Sequence, residues 1–246
     1  MHSLTVPCQP SAGDSKTHVR YTNSVRDRKM PFRLATALVF SVLSSGECSA
    51  AGQLVRAAEQ GDTPAVLSLL KEGADINGRD PQGRTAVIAA THGNRVETVR
   101  ALIRAGADID IRDNRYDNPF LYAGAEGLLE ILGMTIDAKA DTKLTNRFGG
   151  TALIPAAHHG HVEAVRVLLE RTRVDVNHVN NLGWTALLEA IILGDGGARH
   201  TEIVRLLVGK GASVNLADAK GVTPLTHARQ RGYERIVRIL EKAGAR

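Results

Sequence analysis

The chain has 246 residues, with 31 Lys and Arg against 26 Asp and Glu, a formal net charge of +5 and two cysteines. Residues 1–50 hold six basic and three acidic side chains, so from residue 51 onward the balance is 25 to 23. That balance excludes the broad cationic footprint of a nucleic-acid binder, and with Cys8 and Cys48 both ahead of residue 51 no disulfide framework supports residues 51–246.

Residues 1–29 are polar, carry Pro7 and Pro10 and show no periodicity. They read as a disordered extension, or as sequence ahead of a true start at Met30. From Arg26 the chain runs Arg-Asp-Arg-Lys-Met-Pro-Phe-Arg into an apolar stretch, Leu34 to Leu43, and then into Ser44, Ser45, Gly46, Ser49 and Ala50. A basic segment, ten apolar residues and small residues at the cleavage positions predict a secretory signal peptide over 30–50. The apolar run is too short to span a bilayer. Glu47 stands where lipid attachment at Cys48 would need a small residue, which excludes a lipoprotein anchor. The alternative is a tail ahead of a cytoplasmic protein.

Beyond residue 50, Thr85, Asn118, Thr151, Thr185 and Thr223 lie 33, 33, 34 and 38 residues apart. Each opens a near-copy of one segment, as in Thr85-Ala86-Val87-Ile88, Thr151-Ala152-Leu153-Ile154 and Thr223-Pro224-Leu225-Thr226. A fixed period of this length predicts a solenoid of helix pairs. Thr or Asn at the opening is suited to cap the first helix, and Pro119 and Pro224 fit its first position. Asn94, Gly127, Gly160, Gly194 and Gly232 are expected to end that helix in a left-handed conformation. The second helix carries an apolar stripe, as in Val162, Val165, Leu168 and Leu169, which only a neighbouring repeat can bury. Polar outer faces on the first and last units, such as Arg229, Arg235, Arg238 and Lys242, suit the ends of a stack.

The units also close on a common signature: Gly73-Ala74-Asp75-Ile76-Asn77, Gly106-Ala107-Asp108-Ile109-Asp110, Gly211-Ala212-Ser213-Val214-Asn215 and a clipped Gly244-Ala245-Arg246. Their openings read Asp80-x-x-Gly83, Asp113, Asn146-x-x-Gly149, Asn180-x-x-Gly183 and Asp218-x-x-Gly221. In these residues the chain resembles the ankyrin repeat family. The resemblance implies an all-α solenoid of about six helix-turn-helix repeats joined by β-hairpin loops. It covers 51–246, with repeats at about 51–79, 80–112, 113–145, 146–179, 180–217 and 218–246.

The family binds through hairpin tips and the exposed positions of the first helix. Carried over, these are Gln82, Arg84, Arg115, Asp117, Arg147, Phe148, Gly150, Asn181, Leu182, Trp184, Lys220 and Val222 on the tips. On the first helices they are His92, Tyr122, Glu126, Pro155, His158, His159, Glu189, Ile192, Leu193, His227 and Arg231. The middle repeats supply the apolar part. Tyr122, Phe148, His158, His159, Leu182, Trp184, Glu189, Ile192 and Leu193 are therefore the expected protein-binding surface, with Glu189 exposed. Trp184 is the candidate anchor, since aromatic residues near the centre of an interface dominate binding; packing on its own hairpin is the alternative for Trp184, and cover for the next repeat is the alternative for Ile192 and Leu193.

His158, His159 and His178 raise a second reading, a metal- or small-ligand module, because imidazoles suit zinc or copper. Neighbouring helical residues diverge by about 100°, which opposes joint chelation by His158 and His159. Ser68 and Ser213 are the only serines after residue 50, neither lies in a nucleophile elbow, and no cysteine is available. Gly194-Asp195-Gly196-Gly197 lacks the strand and the Lys-Ser/Thr ending of a phosphate loop; Asp195 to Arg199 reads as a five-residue insertion between the helices of repeat five. Repeat three is irregular at Leu132-Gly133-Met134-Thr135 and has Lys139 in place of its closing Gly, and repeat four puts Pro155 inside its first helix. The expected product is an exported, periplasmic, monomeric scaffold for an unidentified protein partner. It is expected to be non-enzymatic, without cofactor or nucleic acid, and not inserted in a membrane once the signal is cleaved. A secreted host-directed effector is the alternative.

Overall fold

The computed structural model describes residues 49–246. The reading of 1–29 lies outside them, as does the signal segment 30–50 except for Ser49 and Ala50. Among the described residues there are helices and turns but no strand. The first helices of the six units are α1 (Ala50–Gln60), α3 (Ala86–His92), α5 (Pro119–Glu126), α7 (Leu153–His158), α9 (Ala186–Ile192) and α11 (Pro224–Gln230). The second helices are α2 (Thr63–Lys71), α4 (Val96–Arg104), α6 (Leu129–Asp137), α8 (Val162–Arg171), α10 (Ala198–Gly209) and α12 (Glu234–Lys242). Each first helix packs on its own second helix and on the next first helix, and second helices pack in the same order from α2 to α12. No described helix is long and apolar enough to cross a membrane.

The small residues of the first helices make that spacing possible. Ala58, Ala90, Ala123, Ala156, Ala190 and Ala228 are all buried. At Gly124 an added Cβ would stand 2.9 Å from the Cβ of Ala152, so even one methyl would push α5 from the next repeat. Second helices contribute Val66, Val99, Leu102, Leu132, Val165, Leu168, Val204, Leu207 and Leu240 to one continuous core. Each fully buried large aliphatic there stabilises the stack by about 1.5–3 kcal/mol.

The closing signature has a polar role. Asp75, Asp108, Asp141 and Asp175 each accept a bond from the backbone two residues on. The final Asn or Asp then reaches across to the following repeat. Asn77 accepts from Asp108 N (2.9 Å), Asp110 from Asp141 N (2.9 Å), Asn177 from Ser213 N (2.7 Å) and Asn215 from Arg246 N (2.9 Å). The hairpin loops are tight turns: Asp80 N donates to Arg84 O and Gly83 N to Asp80 O. Tips also join one another, with Asn114 N donating to Gln82 O and Asn181 N to Phe148 O.

Capping departs from expectation at two openings. Asn118, Thr185 and Thr223 cap their helices through the side-chain oxygen. Thr85 makes no such bond, and its buried Oγ1 has no partner among the described residues. In repeat four α7 starts late, at Leu153, so Thr151 does not cap it either. Pro155 explains the shift. It has no N–H to give to Thr151 O, and Ile154 N takes that carbonyl at 3.1 Å instead.

The interhelix stops hold at Asn94, Gly127, Gly160 and Gly232, all with positive φ, but Gly194 is not left-handed. Gly196 (φ +67°) takes that part, displaced by the insertion. A Cβ on Gly194 would lie 2.1 Å from Ala190 O and 2.6 Å from the His200 ring, so close approach is what requires glycine there. The insertion is not wholly loop, since Ala198 and Arg199 open the twelve-residue α10. Asp195 Oδ1 accepts from Gly197 N at 2.8 Å and lies 2.7 Å from His200 Nδ1, while His200 Nε2 lies 2.9 Å from His158 O.

In repeat three, α6 forms despite Gly133, with the Thr135 hydroxyl bonded to Leu132 O. Tyr116 (φ +64°) and Lys139 (φ +67°) occupy left-handed positions that Gly83 and Gly106 fill in repeat two. For a residue with a Cβ that conformation costs about 1–2 kcal/mol. Lys139 is exposed, so Lys139→Gly is expected to stabilise the fold by about 1 kcal/mol, after allowing for glycine's freer unfolded chain. Chemical denaturation checks this; an unchanged or lower midpoint would show that Lys139 is held by something other than its backbone.

Candidate functional site

The hairpin tips of repeats three to five and helices α5, α7 and α9 enclose a groove of about 330 Å³. Seven of the nine expected surface residues line it: Tyr122, Phe148, His158, His159, Leu182, Glu189 and Leu193. Trp184 and Ile192 do not. Trp184 is half-buried, with its backbone tied at both ends to Asn180. Ile192 is half-buried and its carbonyl accepts from Arg231.

Three large apolar residues of the groove are uncovered. Phe148 is 50% exposed, Leu182 51% and Leu193 44%. Their backbones are nonetheless held: Phe148 N donates to Asn146 Oδ1 at 2.9 Å, and Leu182 N to Asn180 Oδ1 at 3.0 Å. Arg147 lays its guanidinium over the Phe148 ring at 4.7 Å, leaving a cation at the rim beside Arg115. At the other side the Tyr122 ring rests on His92, centroids 4.1 Å apart. Burial pushes the Tyr122 hydroxyl up and the His92 imidazole down from their ordinary pKa values.

Glu189 corrects the sequence reading, because it is buried rather than exposed. Its Oε1 accepts from Asn180 Nδ2 at 2.8 Å, and its Oε2 lies 3.8 Å from His158 Nδ1. The sixth repeat places Asp218 and His227 at the same nine-residue separation, 2.9 Å apart. Repeat five thus reverses the polarity of that pair, with an amide below and a carboxyl above. Asn180 is absent from the expected surface; its spacing to Glu189, matching Asp218 to His227, is the signal that identifies it. Burial raises the Glu189 pKa, opposed by the Asn180 bond, and burial together with His159 and His200 lowers that of His158. Asp117, also in the groove, is raised by burial and by Asp113.

His159 and His161 are turned toward the preceding repeat, and His178 toward the hairpin of its own. His159 Nδ1 lies 2.7 Å from Ala125 O, and His178 Nε2 2.7 Å from Gly149 O. His161 lies against Gly127, where an added Cβ would come within 2.8 Å of its ring. His178 does not line the groove. The described residues contain no group of three or more His, Cys, Asp or Glu side chains arranged to hold a metal, so the metal reading of His158, His159 and His178 gains no support.

A family model described as ankyrin repeats (3 copies) matches residues 54–134 and 120–218. The ankyrin repeat protein YahD of Escherichia coli (strain K12) is 46% identical over 189 residues, covering 77% of this chain and 94% of YahD. The crystal structure of an ankyrin repeat domain from Acinetobacter baumannii AYE is 53% identical with a TM-score of 0.76, covering 78% of this chain and 98% of that one. A chain from the complex of the predatory endopeptidase Bd0816 of Bdellovibrio bacteriovorus with immunity protein Bd3460 is 25% identical with a TM-score of 0.67, covering 77% of this chain and 97% of that one.

Glu189 generates a pH prediction. A carboxyl whose folded pKa is raised makes the fold lose stability as pH climbs from the ordinary glutamate range through the raised value, and the loss persists above it. Glu189→Gln keeps an acceptor for Asn180 and removes the charge. It is expected to raise the neutral-pH melting temperature by about 2–4 °C and to flatten the stability profile across that window. A variant less stable than wild type at pH 7 would refute the assignment.

Proposed function

Because the chain belongs to the ankyrin repeat family, we propose that it is a non-enzymatic scaffold that binds a partner protein in the groove of repeats three to five. The observation that carries this reading is the uncovered apolar trio Phe148, Leu182 and Leu193 on rigidly held backbone, with Arg115 and Arg147 at the rim. Apolar anchors in a recess with arginine around them match the anatomy of a protein interface. Glu189 and His158 in the wall, their pKa values shifted up and down respectively by burial, supply further hydrogen-bonding groups. The chain similar to one from the endopeptidase–immunity protein complex supports an interaction role.

We place the protein in the periplasm on the strength of the basic segment, the apolar run and the small residues between 26 and 50. Cell fractionation tests this, and recovery only from the cytoplasm would overturn it.

The groove is tested by capture from periplasmic extract with wild-type protein, Trp184→Ala and the double variant Phe148→Ala/Leu182→Ala. Wild type and Trp184→Ala are expected to retain the same partner. The double variant should lose affinity by at least about tenfold, the equivalent of one modest hot spot, with an unchanged circular dichroism spectrum because both side chains are half exposed. Loss with Trp184→Ala alone would move the anchor out of the groove.

A further inference from the structure

The face made by the second helices carries an ordered pattern of charge that changes sign at the last repeat. Counting two residues past the position that precedes each second helix in repeats two to four, the chain places Glu97, Glu130 and Glu163; the residue matching them in repeat five is Glu202. Three residues further on stand Arg100, Arg166 and Arg205, and each is paired with its own glutamate. Arg166 also reaches Glu202 of the following repeat at 3.8 Å. In repeats two, four and five the row is therefore alternating charge that neutralises itself, while repeat three has Gly133 in the arginine position and leaves Glu130 without that partner.

In α12 the glutamate position is filled by Arg235, while Arg238 keeps the arginine position. Lys242 follows one turn on, so three cations lie at i, i+3 and i+7 along one side of the helix. None of the three has an ion-pair partner among the described residues, and all are exposed. Together with Arg205 of α10 they edge an open groove of about 660 Å³ between α10 and α12, floored by Val208 and Ile239. No acidic side chain lines it. Like charges at helical spacing repel one another and lower stability slightly, so the arrangement lacks its complement.

We infer that this groove is a second docking surface, taking an acidic amphipathic helix of a partner protein. The recess selects the class. A flat anionic bilayer would meet the cationic edges but leave Val208 and Ile239 uncovered below them. A nucleic-acid strand would find phosphate partners, yet no aromatic side chain lines the groove to stack a base. A helix with apolar residues on one stripe and carboxylates flanking it fills the floor and pairs with both edges, in the helix-in-groove manner. The span from Arg235 to Lys242 is about 10 Å along the axis, two turns of such a helix. This surface lies on different elements from the proposed partner groove of repeats three to five, so each stands or falls independently.

The test uses the full chain and a synthetic helical peptide with Leu on one stripe and Glu at i, i+3 and i+7. The same peptide with Gln for Glu, and vesicles of phosphatidylcholine with phosphatidylglycerol, serve as comparison probes. Fluorescence anisotropy is expected to show salt-sensitive binding of the acidic peptide, with NMR shift changes confined to α10 and α12. Arg235→Glu restores the glutamate of the other repeats beside Arg238, so it preserves the fold; it should weaken binding by about tenfold, as the loss of one contact and the gain of one repulsion require. Phe148→Ala should bind as wild type. Equal binding of the Gln peptide, indifference to Arg235→Glu, or binding to vesicles without binding to the peptide would each overturn the inference.

Discussion

Every repeat depends on its neighbour to cover an apolar stripe it cannot bury alone. The covering is held in register by one polar contact: the Asn or Asp that ends one closing signature accepts the backbone N–H of the next. Burial alone is non-directional and would allow adjacent repeats to slide. A directional bond at four of the five junctions removes that freedom; between repeats three and four, Lys143 stands at the signature's last position and cannot accept one. Because interactions extend only to the adjoining unit, departures in one repeat stay local. Tyr116 and Lys139 hold costly backbone conformations, Pro155 delays a helix and five residues are inserted after Gly194, yet the core runs uninterrupted through all six units.

Those departures cluster around the groove of repeats three to five, and the link is physical. The late start of α7 accompanies Pro155, which itself lines the groove. After the insertion His200 lies against the backbone of His158, fixing the end of α7, where His158 and the following His159 stand. The reversed pair of Asn180 and Glu189 joins hairpin to first helix below the uncovered leucines. Regular repeats spend their polar residues on stacking, whereas these three direct apolar and titratable groups into a recess.

Two faces of the same stack thus differ in kind. One presents half-exposed apolar side chains on hairpins and first helices; the other presents cations on second helices, where the charge ladder ends at Arg235. Both arise from a one-dimensional fold in which each repeat position recurs along a line. A substitution at a recurring position breaks the line visibly, as arginine does among glutamates.

Much of this is legible in the residues. The period, the helix pairs and the closing signature come from local rules, because capping, glycine stops and apolar periodicity act within a few positions of the chain; seven of the groove's residues come from the ankyrin resemblance, which assigns binding to hairpin tips and first-helix positions. Glu189 reads as exposed in sequence because first-helix binding positions are carried over as a surface, whereas in the fold Asn180, which opens the same repeat, bonds it in a buried position. Trp184 reads as an anchor because aromatic residues on hairpin tips favour interfaces, but its backbone is tied to Asn180 and its side chain does not line the groove. Thr85 and Thr151 look like caps in sequence and make no cap. The amino-acid sequence by itself determined the architecture, since that rests on patterns repeated five times over. Which side chains converge was decided only by the tertiary structure, because it depends on contacts between residues distant in the chain, such as His200 with His158 O and Glu189 with His158.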